Sequence, residues 1–274
     1  MGCTNITTVP ISNKITEDSF DSSLIVHYID VGQGDSILIQ HAELNLLIDA
    51  GSRSESQKLV SYLKEIGIES IDVFIATHPH EDHIGGFVEI IKEFEVKKVY
   101  DSGYVHTTRT FNNYLNAIDQ NNIPFKIARR GDILIKKDNL SIEVLHPEVL
   151  KNDINGSSVV LLMTYKEVNF LFMGDAEKNE EEELLNKYPL LKADVIKVGH
   201  HGSSTSSTEA FIKQINPTIA VITVGENNRY NHPHQSVVDR LIRHGAEVYR
   251  TDKHGTVIVQ TDGYKITIQT KGKE

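Results

Sequence analysis

The stretch FIATHPHEDHIGGF, residues 74–87, places four potential metal ligands directly after an apolar run. The four are His78, His80, Asp82 and His83. Crowding imidazoles and a carboxylate together is costly unless a bound group uses them. The first two alternate along an extended segment, and the other two lie on the turn into the following helix. The stretch therefore offers two ligand pairs, enough for two adjacent metal ions.

Other polar residues follow apolar strands in the same way. Asp175 follows FLFMG (170–174), and His200 follows VIKVG (195–199). Loops at strand ends hold functional groups on a rigid scaffold, so we expect these side chains to gather at one sheet edge. A carboxylate such as Asp175 could bridge two ions there. Imidazole and carboxylate ligands without thiolate favour two divalent ions, Zn²⁺ or Mn²⁺, over a closed structural zinc site.

The composition predicts a folded chain without a transmembrane segment. Of its 274 residues 39% are hydrophobic, enough for a sizeable core, yet no run approaches the roughly 18 apolar residues of a membrane span. The net charge of -10 argues against a protein that coats nucleic acid. Residues 192–274 carry 11 basic and 8 acidic side chains, so an anion-binding surface is expected in this part.

The N-terminal residues predict a tether. The order Gly2-Cys3, followed by a polar stretch to residue 23, resembles the mature end of a bacterial lipoprotein whose leader has been removed. This interpretation gives Cys3 a lipid anchor and the protein an extracytoplasmic location. An unmodified surface cysteine on a frayed terminus and a cytoplasmic location are the alternative.

Past residue 23, the chain runs twice from consecutive strands into alternating strands and helices. This pattern suits two sheets packed face to face with helices outside, and no Pro-, Gly- or Ser-rich linker divides the halves. We therefore predict one α/β (α+β) domain over residues 24–274. The run Glu180–Glu183 is interpreted as a solvated helix face.

The motifs resemble a known family. THPHEDHIGG (77–86) matches the HxHxDH signature of the metallo-β-lactamase fold. Further motifs, in the same order, resemble the metallo-β-lactamase domain of competence DNA-uptake channel proteins: YIDVGQGDSILI (28–39), LLIDAG (46–51), FLFMGDA (170–176), DVIKVGHHGSS (194–204), NRYNHPH (228–234) and VYRTDKHGTVIV (248–259). The resemblance implies a four-layer αββα sandwich with a dinuclear site between its sheets.

The resemblance also implies a division of the ligands. One ion would bind His78, His80 and a third histidine; the other would bind Asp82, His83 and His200, with Asp175 as the bridge. The chain departs from the family where the third histidine is expected, because Asn155 and Ser157-Ser158 stand there. His146 is the favoured substitute and His106 a weaker one. His201 is the alternative to His200.

Several residues are expected around the ions. Asp49 of the LLIDAG motif would orient the ligands. Asp35, with Ser203 and Tyr230, would contact substrate, unless DVGQGDS (30–36) is only a glycine-rich turn. His201 or His232 would protonate the leaving oxygen, and Asp82 would also hold the attacking water.

These features predict a metal-dependent hydrolase. The resemblance favours a phosphodiesterase or nuclease that cuts single-stranded DNA through a metal-activated hydroxide, with Lys197 and Arg229 among the cations near the substrate. One alternative is a cell-surface phosphodiesterase such as a phosphocholine esterase, although a choline cage needs aromatic residues that the sequence does not reveal. The other is a non-catalytic metal-binding module, which would bind metal or DNA without cutting.

Overall fold

The computed structural model describes residues 23–272. Within them the strands are β1 (Leu24–Tyr28), β2 (Ile37–His41), β3 (Leu44–Ile48), β4 (Ser70–Ile71), β5 (Val73–Ala76), β6 (Glu95–Val96), β7 (Val99–Asp101), β8 (Phe125–Ile127), β9 (Ile133–Lys137), β10 (Leu140–His146), β11 (Val160–Tyr165), β12 (Val168–Phe172), β13 (Val195–Lys197), β14 (Ile219–Ile222), β15 (Glu247–Arg250), β16 (Thr256–Thr261) and β17 (Ile266–Lys271). The helices are α1 (Ser56–Glu65), α2 (Glu81–Ile84), α3 (Phe87–Glu93), α4 (Arg109–Gln120), α5 (Lys178–Lys187), α6 (Glu209–Ile215), α7 (Gln235–Arg243) and α8 (Thr251–His254). Except for Ser23, the predicted tether, including Cys3, lies outside the described residues.

Two large sheets organise this part of the chain. The first has the strand order β17-β16-β1-β2-β3-β5-β7-β8, and the second has the order β15-β14-β13-β12-β11-β10-β9. In the first sheet β3, β5, β7 and β8 are parallel neighbours. In the second, β12 to β15 are parallel neighbours. The remaining strands β4 and β6 form a small separate ribbon.

Successive side chains along the strands point to opposite faces of each sheet, and they pack into three separate hydrophobic cores. In β12, Phe170 and Phe172 are buried between the two sheets, whereas Leu171 is buried on the opposite face. In β5, Ile75 points into the core between the sheets and Phe74 into the outer one. Because both faces of these strands are covered, their sequences are continuous apolar runs rather than alternating ones.

Helices cover the outer face of each sheet. Helices α1, α3 and α4 pack on the first sheet through residues such as Leu59, Phe87 and Tyr114. Helices α5, α6 and α7 pack on the second through residues such as Leu184 and Phe211. The predicted four-layer αββα sandwich is confirmed. None of the helices in residues 23–272 is long and apolar enough to cross a membrane.

The interpretation of Glu180–Glu183 as a solvated face of α5 is wrong. Glu180 and Glu181 are buried, and only Glu182 is exposed. Glu180 forms a reciprocal capping box with Glu177 at the start of the helix. Glu181 accepts hydrogen bonds from the backbone N–H groups of Ser207 and Thr208. These acidic side chains fix the helix and a neighbouring loop, because they satisfy backbone donors that would otherwise be buried without a partner.

The parallel strands bring the polar loops to one edge. The carboxyl ends of β3 and β5 lead to Asp49 and to the ligand stretch, and those of β12 and β13 lead to Asp175 and the two adjacent histidines. The two sheets are joined there by a hydrogen bond from the backbone N–H of Val159 to the carbonyl of Thr77, at 2.9 Å. This edge carries the site that the strand ends predict.

Candidate metal centre

A first group of potential ligands contains His78, His80 and Asp175. One ligand atom from each lies within 4.8 Å of the other two. The Nε2 atom of His78 lies 2.9 Å from Nδ1 of His80 and 3.6 Å from Oδ2 of Asp175. Burial keeps the pKa values of both imidazoles below the ordinary value, so they present lone pairs rather than charges. Neutral imidazoles beside a carboxylate are suited to binding a cation.

A second group contains Asp82, His83 and His201, again with atoms within 4.8 Å of one another. Helix α2 carries the first two, and both histidines are buried. Nε2 of His201 lies 3.5 Å from Oδ2 of Asp82. Asp175 adjoins this group as well, because Oδ2 lies 3.4 Å from Nε2 of His83 and Oδ1 lies 3.5 Å from Nε2 of His201. Asp175 therefore lies between the two groups, where a bridging ligand is expected.

The structure places His201, rather than His200, in the second group. Both residues have left-handed backbone conformations, with φ values of 46° and 52° for His200 and His201. This turn directs His201 inward, where its Nδ1 donates to the carbonyl of Thr223 at 2.9 Å and leaves Nε2 free. His200 is partly exposed and its Nδ1 lies 2.8 Å from Oε1 of Glu177. The structure thus brings His201, the alternative to His200, into the second group, while Nε2 of His200 lies 3.8 Å from Oδ2 of Asp175.

Asp49 fixes the orientation of the His83 ring through hydrogen bonds. Its Oδ2 accepts a hydrogen bond from Nδ1 of His83 at 2.7 Å and one from the Thr77 hydroxyl at 2.6 Å. Its Oδ1 accepts from the backbone N–H of Thr77 at 2.8 Å. With Nδ1 of His83 committed as a donor, Nε2 is the atom available to a metal.

A fully buried lysine lies beneath the second group. The ammonium of Lys197 pairs with Oδ2 of Asp35 and donates to the carbonyl of Gly174 at 2.8 Å. Asp35 also accepts from the hydroxyl of Thr223 at 2.5 Å and is only 1% exposed. Both side chains are buried, and Asp35 forms a third group of potential ligands with His83 and Asp175, whose atoms lie within 4.8 Å of one another; contact of Asp35 and Lys197 with substrate stays a prediction. Sequence spacing does not predict this ion pair, because Asp35 and Lys197 lie 162 residues apart.

The two candidates for a third histidine lie outside both groups. His146 is buried and its Nδ1 donates to the carbonyl of Ser158 at 3.0 Å. Within residues 23–272 it belongs to no group that could hold a metal. The ring of His106 lies 6.4 Å from that of His80 between centroids and likewise joins no group. The first group thus has two histidines and a carboxylate, which leaves coordination positions open.

The donor atoms fit divalent cations. Nε2 of His83, Nε2 of His201 and Oδ1 of Asp175 are all buried without a hydrogen-bond partner. Burial opposes charge on these imidazoles, but Asp175 and its neighbouring carboxylates raise the pKa of His83 well above its usual value and that of His201 to about 10. The nearby carboxylates thus keep these two imidazoles protonated and positively charged. Divalent ions would replace these protons and satisfy the buried atoms.

The remaining expected residues lie farther out. Ser203 is nearly buried and its hydroxyl lies 2.9 Å from that of Thr205. The ring of His232 lies 5.4 Å from that of His200 and stacks on Tyr230 at 5.6 Å between centroids. Tyr230 is 44% exposed, and the guanidinium of Arg229 lies 4.8 Å from its ring centre. An aromatic surface therefore extends from the ligand groups to the solvent.

His232 is neutral near pH 7. Burial and the nearby rings of His200 and His201 lower its pKa to about 4. Its Nδ1 atom is buried without a hydrogen-bond partner. A neutral imidazole offers one N–H donor and one lone pair, so His232 can donate a hydrogen bond to an anionic group.

Comparisons with known proteins agree with the fold. Residues 29–226 match the Metallo-beta-lactamase superfamily. The chain is 39% identical to ComE operon protein 3 of Bacillus subtilis over 252 residues, covering 85% of this chain but 32% of that protein. It is 26% identical to the exodeoxyribonuclease WalJ of Streptococcus pneumoniae, covering 76% of this chain and 84% of WalJ. The metallo-beta-lactamase fold protein YhfI of Bacillus subtilis has a similar structure, with a TM-score of 0.56 and 13% identity over 87% of this chain and 99% of YhfI. The chain belongs to the metallo-beta-lactamase superfamily.

Proposed function

We propose that this chain is a metal-dependent phosphodiesterase that cleaves single-stranded DNA. The observation that carries the proposal is the position of Asp175 between two ligand groups, His78 with His80, and Asp82 with His83 and His201. Two divalent ions held there would supply Lewis-acid stabilisation and an activated water for displacement at phosphorus. Zn²⁺ and Mn²⁺ suit the nitrogen and oxygen donors.

Residues around the ions would position the substrate. Asp82 is 26% exposed at its side chain, so it can also accept a hydrogen bond from a water at the open face. His232 would donate a hydrogen bond to a phosphate or leaving oxygen, because its ring is neutral and next to His200. The exposed ring of Tyr230 would stack on a base. Stacking requires an unpaired base, which favours a single strand over a duplex.

Similarity to other proteins supports a nucleic-acid substrate. WalJ is an exodeoxyribonuclease, and the chain covers most of its length. Among the relatives with higher identity, Competence protein ComA of Neisseria gonorrhoeae is 32% identical, and the chain spans about a third of its length. A role in DNA uptake is therefore part of the proposal.

The test is cleavage of end-labelled single-stranded DNA with Mn²⁺ or Zn²⁺. Wild-type protein should cut the strand, and Asp82→Asn should reduce the rate by at least about tenfold because it removes a ligand charge. Asp72→Asn is the matched control, since Asp72 binds Lys97 and the backbone of Asn45. A metal-loaded protein that cuts bis(p-nitrophenyl) phosphate but no DNA would instead indicate a smaller phosphodiester substrate. A protein that binds metal and cuts neither would indicate a binding module.

A further inference from the structure

A cationic cavity lies beside helix α2, outside the two ligand groups. It has a volume of about 140 Å³ and is bounded by the turn that contains Arg53 and by residues of α3 and α4. This volume is several times the roughly 30 Å³ that one water molecule occupies in the liquid. Three basic side chains line the cavity, Arg53, Lys92 and Arg109, against one carboxylate, Glu89.

The positive charge of this cavity is largely uncompensated. Lys92 pairs with Glu89 at 2.6 Å, so these two charges cancel. In the part of the chain that the structure describes, neither the Arg53 nor the Arg109 guanidinium has an ion-pair or hydrogen-bond partner. Arg53 and Arg109, which are both exposed, therefore line one concave site without an ion-pair partner in residues 23–272, and Glu81 is a further carboxylate beside it that accepts a hydrogen bond from the backbone N–H of Arg53 at 2.8 Å.

The chemistry of the lining favours a phosphate group. Guanidinium groups bind phosphate oxygens through two parallel hydrogen bonds, which gives both affinity and orientation. The hydroxyl of Thr110 and the amide of Asn113 line the same cavity and can donate to the remaining oxygens. An apolar ligand would leave all of these donors unsatisfied.

Two residues of the cavity wall lie close in sequence to the ligand stretch or to a neighbour of it. Gly85, in its wall, lies only two residues after His83. A Cβ atom at Gly85 would lie 2.5 Å from the backbone nitrogen of Arg53, so the glycine lets this turn pack against α2. Arg109 lies three residues after His106, whose ring neighbours that of His80. A strand bound at the ions can therefore reach the cavity within a few nucleotides.

We propose that Arg53 and Arg109 form a binding site for a backbone phosphate of the substrate strand, separate from the phosphate that is cleaved. This site rests on the proposed nuclease function for the source of its ligand. This site holds the strand that runs past His80 and His106. It therefore contributes to substrate binding only when the substrate is longer than the cleaved linkage. Free inorganic phosphate presents the same chemistry and is the other possible source of the phosphate that binds at this site.

The test compares the double variant Arg53→Gln/Arg109→Gln with Lys213→Gln/Arg243→Gln, which removes two exposed cations from α6 and α7. With a 12-nucleotide strand, the Arg53/Arg109 variant should raise KM about tenfold, as expected for lost hydrogen bonds to a charged group. The dependence of log Kd on log salt should fall by about 0.7 for the lost phosphate contact. Cleavage of bis(p-nitrophenyl) phosphate should not change. Arg53→Lys/Arg109→Lys, which keeps the charges without the planar fork, should give an intermediate KM.

The outcomes separate this proposal from the nuclease proposal. An unchanged KM for the strand, or an equal rise in the α6/α7 control, would overturn the phosphate site while leaving the nuclease intact. If wild-type protein neither binds nor cuts the strand, the nuclease proposal fails, and titration with inorganic phosphate followed by ³¹P NMR decides the site. Phosphate binding that the Arg53/Arg109 variant loses would support a site for a free phosphate, and no binding would overturn the site.

Discussion

Replacing Asp49 by Asn should weaken metal binding without disturbing the backbone. Asp49 has a left-handed conformation, with φ of 57°, which Asn also tolerates. The carboxylate accepts hydrogen bonds from Nδ1 of His83 and from both the N–H and the hydroxyl of Thr77. An amide has only one accepting oxygen, so its NH₂ group must face a donor. If it faces His83, the imidazole proton moves to Nε2, the atom that lies 3.4 Å from Asp175 in the ligand group.

Loss of the orienting partner of a ligating histidine typically costs 10–100-fold in metal affinity, about 1.4–2.7 kcal/mol. Competition with a chromophoric chelator for Zn²⁺ would measure this change. The Asp72→Asn variant makes the same carboxylate-to-amide change where Asp72 accepts from Lys97 at 2.8 Å, and it should bind metal like the wild-type protein. If Asp49→Asn folds and binds both ions within twofold of wild-type affinity, then Asp49 does not act through the tautomer of His83.

Three further perturbations test the buried charges and the aromatic surface. Lys197→Met leaves the Asp35 carboxylate buried without its cation, so in metal-free protein the free energy of unfolding should fall by about 3–5 kcal/mol, and adding Asp35→Asn should recover part of it in urea titrations. Burial lowers the pKa of His27 to about 4, so the folded state binds fewer protons than the unfolded state below about pH 6.5. His27 therefore does not lower the free energy of unfolding above that pH, and this free energy should decline by up to about 3 kcal/mol as the pH falls to 4. In chelator-treated protein, His27→Gln should reduce the decline. Tyr230→Leu should raise KM for a single strand at least fivefold because base stacking is lost, whereas Tyr230→Phe should leave it unchanged.

The fold and the ligand stretch could be predicted because their signals are local. The strands are continuous apolar runs, and the four potential ligands in residues 78–83 lie on one loop and one short helix. Their relative positions therefore follow from spacing alone. The place of Asp175 at a strand end could be predicted as well, because parallel strands end at a common edge.

The remaining features depend on partners that are distant in sequence or on backbone conformation. Two successive left-handed residues decide which of His200 and His201 points inward, and sequence spacing does not indicate this backbone conformation. The sequence alone suggests that Lys197 is an accessible cation. It is buried in the fold because Asp35, from the other sheet, pairs with it. Glu181 belongs to a run of four acidic residues, yet it is buried because the loop at Ser207 offers it backbone donors. A prediction of exposure from charge alone does not include such partners.

Three non-glycine residues of the candidate site have positive φ values. Asp49, His200 and His201 are non-glycine residues with positive φ, a conformation that costs about 1–3 kcal/mol each when nothing compensates it. At Asp49 the compensation comes from three hydrogen bonds that the carboxylate accepts, and at His201 it comes from the carbonyl of Thr223. The same hydrogen bonds direct His83 and His201 toward Asp175. If these turns relaxed to right-handed conformations, the same hydrogen bonds would be lost and the donor atoms would turn away from Asp175, so the interactions that offset the strain also orient the potential ligands.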